Sequence, residues 1–466
     1  MTRRDLLRRG SLAAVATAVN AQTPARPNIV FVLADDMGWG DPSCYGNPRM
    51  KTPNLDRLAA EGTLFTQFYV NGSVCSPTRS AFMTGMFPAR NRMHGHLATE
   101  EMNQRRAMPN FLDPARPNVA AALRSAGYRT AHFGKWHLGS GPDAQLPDAY
   151  GFDEHQSVTS NDKRNVENGG GFRAKSSQWI VDNAIEFIRS TPADKPFYAQ
   201  LWTLLPHAPL APTPEQLEPF KNQQPGPHVP WPGAQQIYNA SLRDLDTQIG
   251  RLLDALEKDG RAENTLILFS SDNGPEDIHI GNASHSAFGS PGPFRGRKRS
   301  LYEGGVRVPG IVRWPGRVPA GRVESRAVVS GVDWFPTLVK LAGATLPASA
   351  SVDGEDVSDI FLGASRARRT PLHWEWRFNV AGYTVNRSPI LSMRDGDWKL
   401  LMNPDRSRVE LYRIPEDPME MTNVAPANPG VVQRMSEKML AWQKTLPEGP
   451  MDPTAGKNDW KWPSGR

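Results

Sequence analysis

Asn28-Ile29-Val30-Phe31-Val32-Leu33-Ala34 runs apolar from Ile29 onward and then stops at Asp35-Asp36. β-Branched and aromatic residues at consecutive positions, without the alternation of a half-exposed strand, predict a strand buried on both faces, as in a parallel sheet. Two adjacent acids at the end of such a strand are costly unless paired or bound to a cation. A solvated turn capping a following helix is the other reading of Asp35-Asp36.

The same succession recurs along the chain. Leu242, Leu245, Ile249, Leu252, Leu253 and Leu256 form one face of an amphipathic helix closed by Gly260. Thr265 to Phe269 then reads as a strand ending in Ser270-Ser271-Asp272-Asn273-Gly274. A helix from Val119 to Ser125, stopped by Gly127, leads into a strand from Arg129 to Phe133 and on to Gly134-Lys135-Trp136-His137-Leu138-Gly139. A helix around Trp179 to Arg189 precedes a strand from Phe197 to Leu204, which ends in Pro206-His207. Alternating helix and strand predict an α/β fold with a large, mostly parallel central sheet flanked by helices. Ligands sit at the carboxyl ends of the strands in such sheets. Asp35, Asp36, Asp272, Asn273, Lys135, His137 and His207 should therefore converge on one edge. Three carboxylates and an amide oxygen suit Ca²⁺ or Mg²⁺ better than Zn²⁺.

Val74-Cys75-Ser76-Pro77-Thr78-Arg79-Ser80-Ala81-Phe82-Met83-Thr84-Gly85 reads as a short helix, with Ser76 as cap, Pro77 in its first turn and Gly85 at its end. Cys75 would then sit just before a helix N-terminus, where free N–H groups favour an anion or a lowered thiol pKa. Arg79, one turn in, brings a permanent positive charge. A lone cysteine in such a place is ordinarily a buried one beside a capped helix.

Cys75-x-Pro77-x-Arg79 resembles the signature of the formylglycine-dependent, arylsulfatase-like sulfatases of the alkaline phosphatase superfamily, in which the cysteine is oxidised to formylglycine. Further segments resemble that family in order: Leu33 through Asp41, Thr52-Pro53-Asn54-Leu55-Asp56, Gly134 through Gly139, Ser271-Asp272-Asn273-Gly274, and Lys298 through Tyr302-Glu303-Gly304-Gly305. The resemblance runs from about Pro27 to Asn423. It implies hydrolysis of a sulfate ester. A hydroxyl of the hydrated formylglycine attacks sulfur, and elimination from the sulfated enzyme then releases sulfate. It also implies that Asp35, Asp36, Asp272, Asn273 and an oxygen of the modified Cys75 bind one Ca²⁺. Arg79 would hold the hydrate, and Lys135 and Lys298 would bind sulfate oxygens. His137 would be the base of the elimination, and His207 would donate to the leaving oxygen. A sulfated carbohydrate or other sulfate ester is the implied substrate, and a formylglycine-generating enzyme the implied maturation partner. Each residue has a plainer reading. Lys298 lies in Arg295-Gly296-Arg297-Lys298-Arg299, which alone would be a solvated basic loop; His137 could be satisfied under the Trp136 turn, and His207 could shape a Pro-rich loop. His94 and His96 read as surface-loop residues rather than pocket lining.

Beyond about residue 365 the pattern changes. Ile390 to Arg394, Trp398 to Met402 and Val409 to Tyr412 read as short strands, the first two joined at Asp395-Gly396, with a helix from Val431 to Thr445. The resemblance implies a smaller C-terminal α+β domain with an antiparallel sheet. Trp374, Trp376 and Arg377 are candidates either for sugar contact or for a core or interdomain role. The expected division is 1–21 signal, 27–365 catalytic domain and 366–466 C-terminal subdomain.

The 466 residues carry a net charge of +6, and Arg3, Arg4, Arg8 and Arg9 against Asp5 supply half of it. That balance does not argue for nucleic acid. Thr2-Arg3-Arg4-Asp5-Leu6-Leu7-Arg8, the apolar run from Leu12 to Val19 and Val19-Asn20-Ala21 resemble a twin-arginine export signal with a cleavage site. The expectation is an exported protein, periplasmic or secreted, without stable membrane insertion. The chain has two cysteines, Cys44 and Cys75. If Cys75 is modified, Cys44 has no partner for a disulfide. Two rival functions fit the same residues. One is a phosphonate or phosphate ester hydrolase of the same superfamily. The other is a non-catalytic glycan-binding protein with Cys75 unmodified, against which the intact constellation argues.

Overall fold

The computed structural model describes residues 26–158, 171–223, 233–277, 283 and 285–458. The signal-like stretch at residues 1–21 lies outside them. The main sheet has nine strands: β1 Asn28–Ala34, β2 Thr63–Tyr69, β3 Arg129–Lys135, β4 Glu154–Val158, β5 Phe197–Trp202, β6 Thr265–Ser271, β7 Arg307–Arg313, β8 Arg322–Glu324 and β9 Val329–Ser330. Their order is β4-β3-β5-β1-β6-β7-β2-β8, with β9 also beside β2. β7 alone runs against its neighbours, β6 and β2; the other pairings are parallel.

β1 explains why its sequence is continuously apolar. Ile29, Phe31 and Leu33 enter one core, and Val30, Val32 and Ala34 enter the other, on the opposite face. The longer helices are α1 Pro53–Ala60, α2 Cys75–Thr84, α3 Val119–Ser125, α4 Ser176–Ser190, α5 Ala234–Lys258, α6 Trp334–Leu341 and α7 Pro429–Gln443. Phe82 and Met83 of α2, Leu123 of α3 and Trp334 of α6 cover the Phe31 face. Leu55 of α1, Ile180 of α4 and Leu242 of α5 cover the Val30 face. The result is a three-layer α/β sandwich.

A second, antiparallel sheet holds β10 Leu372–Glu375, β11 Leu391–Asp395, β12 Trp398–Met402 and β13 Glu410–Arg413 in that order. Gly396 turns the β11–β12 hairpin with φ 61°. β10 was not expected from sequence. Its Trp374 is buried and donates its indole N–H to the Val70 carbonyl at 2.7 Å, so it joins the two sheets. Trp376 and Arg377 are buried too, Arg377 against Glu375 and the Pro447 carbonyl. Of the two readings held open for these three residues, the structure takes the core and interdomain one.

Lys399 of β12 reaches into the same junction. Its Nζ lies 2.8 Å from Glu303 and 3.0 Å from Glu420, and all three side chains are fully buried. Burial pushes Glu303 up, but Lys399 and Arg307 outweigh it and hold this carboxyl down to about 2. No helix among the described residues is long and apolar enough to cross a membrane.

Candidate active site

Four adjacent parallel strands, β3-β5-β1-β6, end at one edge. Backbone pairing continues one step past them: Asp272 N donates to Ala34 O (3.1 Å), Thr203 N to Leu33 O (2.8 Å) and Asp35 N to Leu205 O (3.2 Å). Asp35-Asp36, Asp272-Asn273, Lys135 through His137 and His207 are thereby brought together, as the strand-end pattern predicts. Asp36 N donates to Asp272 Oδ1 at 3.1 Å, and Asn273 Nδ2 to Asp36 Oδ1 at 2.7 Å. Gly274 admits the Glu303-Gly304-Gly305 segment, since a Cβ there would lie 1.9 Å from the Gly304 carbonyl oxygen.

Cations interleave with these acids. Lys135 Nζ is 2.6 Å from Asp35 Oδ2, and Lys298 Nζ is 2.7 Å from Asp36 Oδ2. Arg79 donates from Nε and Nη2 to Asp272 Oδ2, and from Nη1 to the Lys135 carbonyl at 2.7 Å. Its guanidinium lies 5.1 Å from the Trp202 ring centre. Lys298 is buried and held between two carboxylates, not in a solvated loop. Asp36, His137 and Arg299 all have positive φ, at 66°, 53° and 75°. Such a backbone costs a non-glycine residue roughly 1–2 kcal/mol, so the surrounding contacts must impose it.

The electrostatics follow from burial. Burial opposes ionisation of Asp35, but Lys135, His207, Arg79 and Lys298 together hold it well below the usual carboxylate range. Burial, with Asp35 beside both, pushes Asp36 and Asp272 up, while Lys298 at Asp36 and Arg79 at Asp272 pull them back towards the ionised form. Burial, then Lys135 and Arg79, push His137 well below its ordinary value, which keeps the ring neutral. A carbonyl can only accept, so His137 Nε2–H is the donor to Leu97 O at 3.0 Å. Its Nδ1 lone pair is then buried without a partner among the described residues. By the same argument His207 Nδ1–H donates to Ala208 O at 2.5 Å, leaving Nε2 turned to Asp36 Oδ2 at 3.7 Å.

Two local expectations need correction. Cys75 is the first residue of α2, not the residue before it, and the cap position is Val74, which has no side chain able to bond the helix. Ser76 therefore does not cap; its Oγ accepts from Leu97 N at 3.0 Å. Cys75 is buried at the first turn, and Gly85 ends the helix with φ 67°. His94 is not a surface-loop residue: it is buried, with Nδ1 3.3 Å from Glu375 Oε2. The acid comes from β10, far along the chain. His96 is half-buried.

Sequence reasoning missed Glu276 and Arg173. Glu276 is buried 3.5 Å from Lys298 and takes Arg299 as well, holding both cations at the strand edge. An acid three residues after Asn273 was the available signal. Arg173 is fully buried and donates to the carbonyls of Leu204 and His207, fixing the loop that carries His207. No motif marks it.

The model of the Sulfatase family matches residues 27–344. This chain belongs to the sulfatase family. A second sulfatase family model, described as N-sulphoglucosamine sulphohydrolase, C-terminal, matches residues 294–445. Human Arylsulfatase A is 34% identical over 412 residues, covering 84% of this chain and 77% of that one. N-acetylgalactosamine-6-sulfatase of Canis lupus familiaris is 34% identical over 384 residues, covering 75% and 68%. The solved structure of Ps i-CgsB in complex with k-i-k-neocarrahexaose superposes with a TM-score of 0.77 at 25% identity, covering 92% of this chain and 96% of that one. The sulfatase is a sulfuric ester hydrolase, and its chemistry is sulfate ester hydrolysis.

Proposed function

We propose that this sulfatase acts on a sulfated saccharide with a formylglycine made from Cys75 and one Ca²⁺ held by Asp35, Asp36, Asp272, Asn273 and an oxygen of the modified residue 75. The observation that carries the metal reading is a pair of orphaned acceptors. Asp35 Oδ1 and Asn273 Oδ1 are buried with no hydrogen-bond partner among the described residues. Possible ligand atoms of Asp35, Asp36 and His207 lie within 4.8 Å of one another. Carboxylate and amide oxygens suit a hard cation. Bound there, calcium supplies positive charge that orients the nucleophile and offsets sulfate, and hydrated formylglycine supplies the attacking hydroxyl.

The chain's own residues do the rest. Arg79, pinned by Asp272, holds residue 75 in place. Lys135 and Lys298 bind sulfate oxygens as compact charges. His137 takes a proton at Nδ1, the nitrogen left without a partner. His207, once protonated at Nε2 as well, gives that proton to the leaving oxygen, its Nδ1–H held by the Ala208 carbonyl. The saccharide reading is supported by the N-acetylgalactosamine-6-sulfatase relative and by the k-i-k-neocarrahexaose in complex with the structural neighbour. The twin-arginine-like start supports export across the inner membrane after modification and folding. Arg3-Arg4→Lys-Lys should then trap active enzyme inside the cell, as fractionation would show.

Peptide mass spectrometry tests the modification, with unmodified thiol in fully active protein as the contrary result. Elemental analysis tests the ion, and stoichiometric zinc without calcium would contradict it. Turnover of an aryl sulfate against a phosphate diester separates this reading from a phosphonate or phosphate ester hydrolase.

A further inference from the structure

Leu97, whose carbonyl fixes His137, follows a histidine that the reaction does not use. The His96 ring makes no hydrogen bond among the described residues. Burial, and then His137 beside it and the charges of Arg106, Lys298 and Arg299, push it down to about 3, so it is a neutral imidazole facing a cationic rim. Lys298 and Arg299 have acids against them, Asp36 and Glu276.

Arg106 does not. Its Nη1 donates to the His96 carbonyl at 3.2 Å, and its guanidinium lies on the face of Phe378, 4.9 Å from the ring centre. No carboxylate faces it among the described residues, and it is half-buried. Gly95 makes room for this stack: a Cβ there would lie 3.0 Å from the Phe378 ring and 3.4 Å from Arg106 Nη1. A guanidinium that has lost part of its water and has no counter-charge is a ready partner for an oxyanion, bound with two parallel N–H donors.

We propose that Arg106 and His96 form a subsite for a second anionic group of the substrate, a carboxylate or a further sulfate on the saccharide that carries the scissile sulfate. Arg106 takes the oxyanion, and neutral His96 hydrogen-bonds a sugar hydroxyl beside it. The enzyme would thus select polyanionic saccharides over singly sulfated ones. This rests on the sulfated-saccharide reading above.

The test compares four substrates: an aryl sulfate, a disaccharide with one sulfate and no other charge, the same disaccharide with a neighbouring uronate, and the same with a second sulfate. Wild-type kcat/KM should favour one of the doubly charged disaccharides over the singly charged one by tenfold or more, and which one identifies the anion. Arg106→Gln should reduce that ratio at least tenfold, mainly through KM, and Arg106→Lys should retain part of it. A wild-type ratio near one, or a ratio that Arg106→Gln leaves unchanged, would overturn the subsite. Titration calorimetry on Cys75→Ala protein, with and without Arg106→Gln, reads binding without turnover. Tenfold weaker binding of the doubly charged disaccharide there supports the subsite even if the wild type hydrolyses none of these esters, which would instead defeat the proposed function; equal binding overturns it.

Discussion

The guanidinium of Arg79 meets the carboxylate of Asp272 through two nitrogens, at 3.0 and 2.8 Å, and neither side chain is exposed to solvent. The two residues are 193 positions apart. This contact ties the first turns of α2, which carry Cys75, to the end of β6, which carries the proposed metal ligands. A fully buried ion pair of this kind is costly to break, because removing one partner strands the other charge.

Asp272→Asn should therefore do two things. The proposed Ca²⁺ should fall from about one per chain to near zero by elemental analysis, with at least a hundredfold loss of turnover. Urea unfolding should show a loss of about 3–5 kcal/mol, the typical cost of an orphaned buried charge.

His207→Gln should separate substrates by leaving group. A saccharide alkoxide needs a proton as it departs, whereas 4-nitrophenolate does not. A loss of roughly 10²–10⁴ in kcat is expected on a saccharide sulfate, with a much smaller loss on 4-nitrophenyl sulfate. Equal losses on both would remove His207 from the general acid role.

Lys399→Met should destabilise the junction of the two sheets without touching the strand edge of β1 and β6. Glu303 and Glu420 would then face each other fully buried without their shared cation. A loss of about 3–5 kcal/mol in urea unfolding is expected.

His373 stacks on Trp442, with ring centres 4.7 Å apart, and burial, then Arg90, push it down from 6.5 to about 4. The folded state thus binds fewer protons than the unfolded state between those values. Its contribution is complete above pH 6.5 and is lost as pH falls towards about 4. The slope approaches ~1.4 kcal/mol per pH unit. Unfolding free energies of wild type and His373→Phe, measured at pH 7 and pH 5, should show a smaller acid loss in the variant.

Much of this fold was legible because its strands are buried on both faces. Such strands must be apolar at every position, so β1 and β6 stand out, and the polar residues that interrupt them mark the edge where ligands bind. Val119–Ser125 matched its expected bounds because cap and stop signals flank it. β10 did not stand out. It is four residues long, and its Trp374 reads equally as a core residue or a sugar contact until Val70 is known to accept its hydrogen bond.

The sequence by itself determined the order of helices and strands, the family and the set of acids, lysines and histidines at strand ends, because those depend on local runs and motifs. The tertiary structure decided which of them pair. Arg79 with Asp272, Lys298 with Asp36 and Glu276, His94 with Glu375, and Lys399 with Glu303 and Glu420 join positions distant in the chain or in separate sheets. It also left Arg106 without an acid among the described residues. Pairing of buried charges depends on which side chains share a low-dielectric space, and only chain packing creates that space.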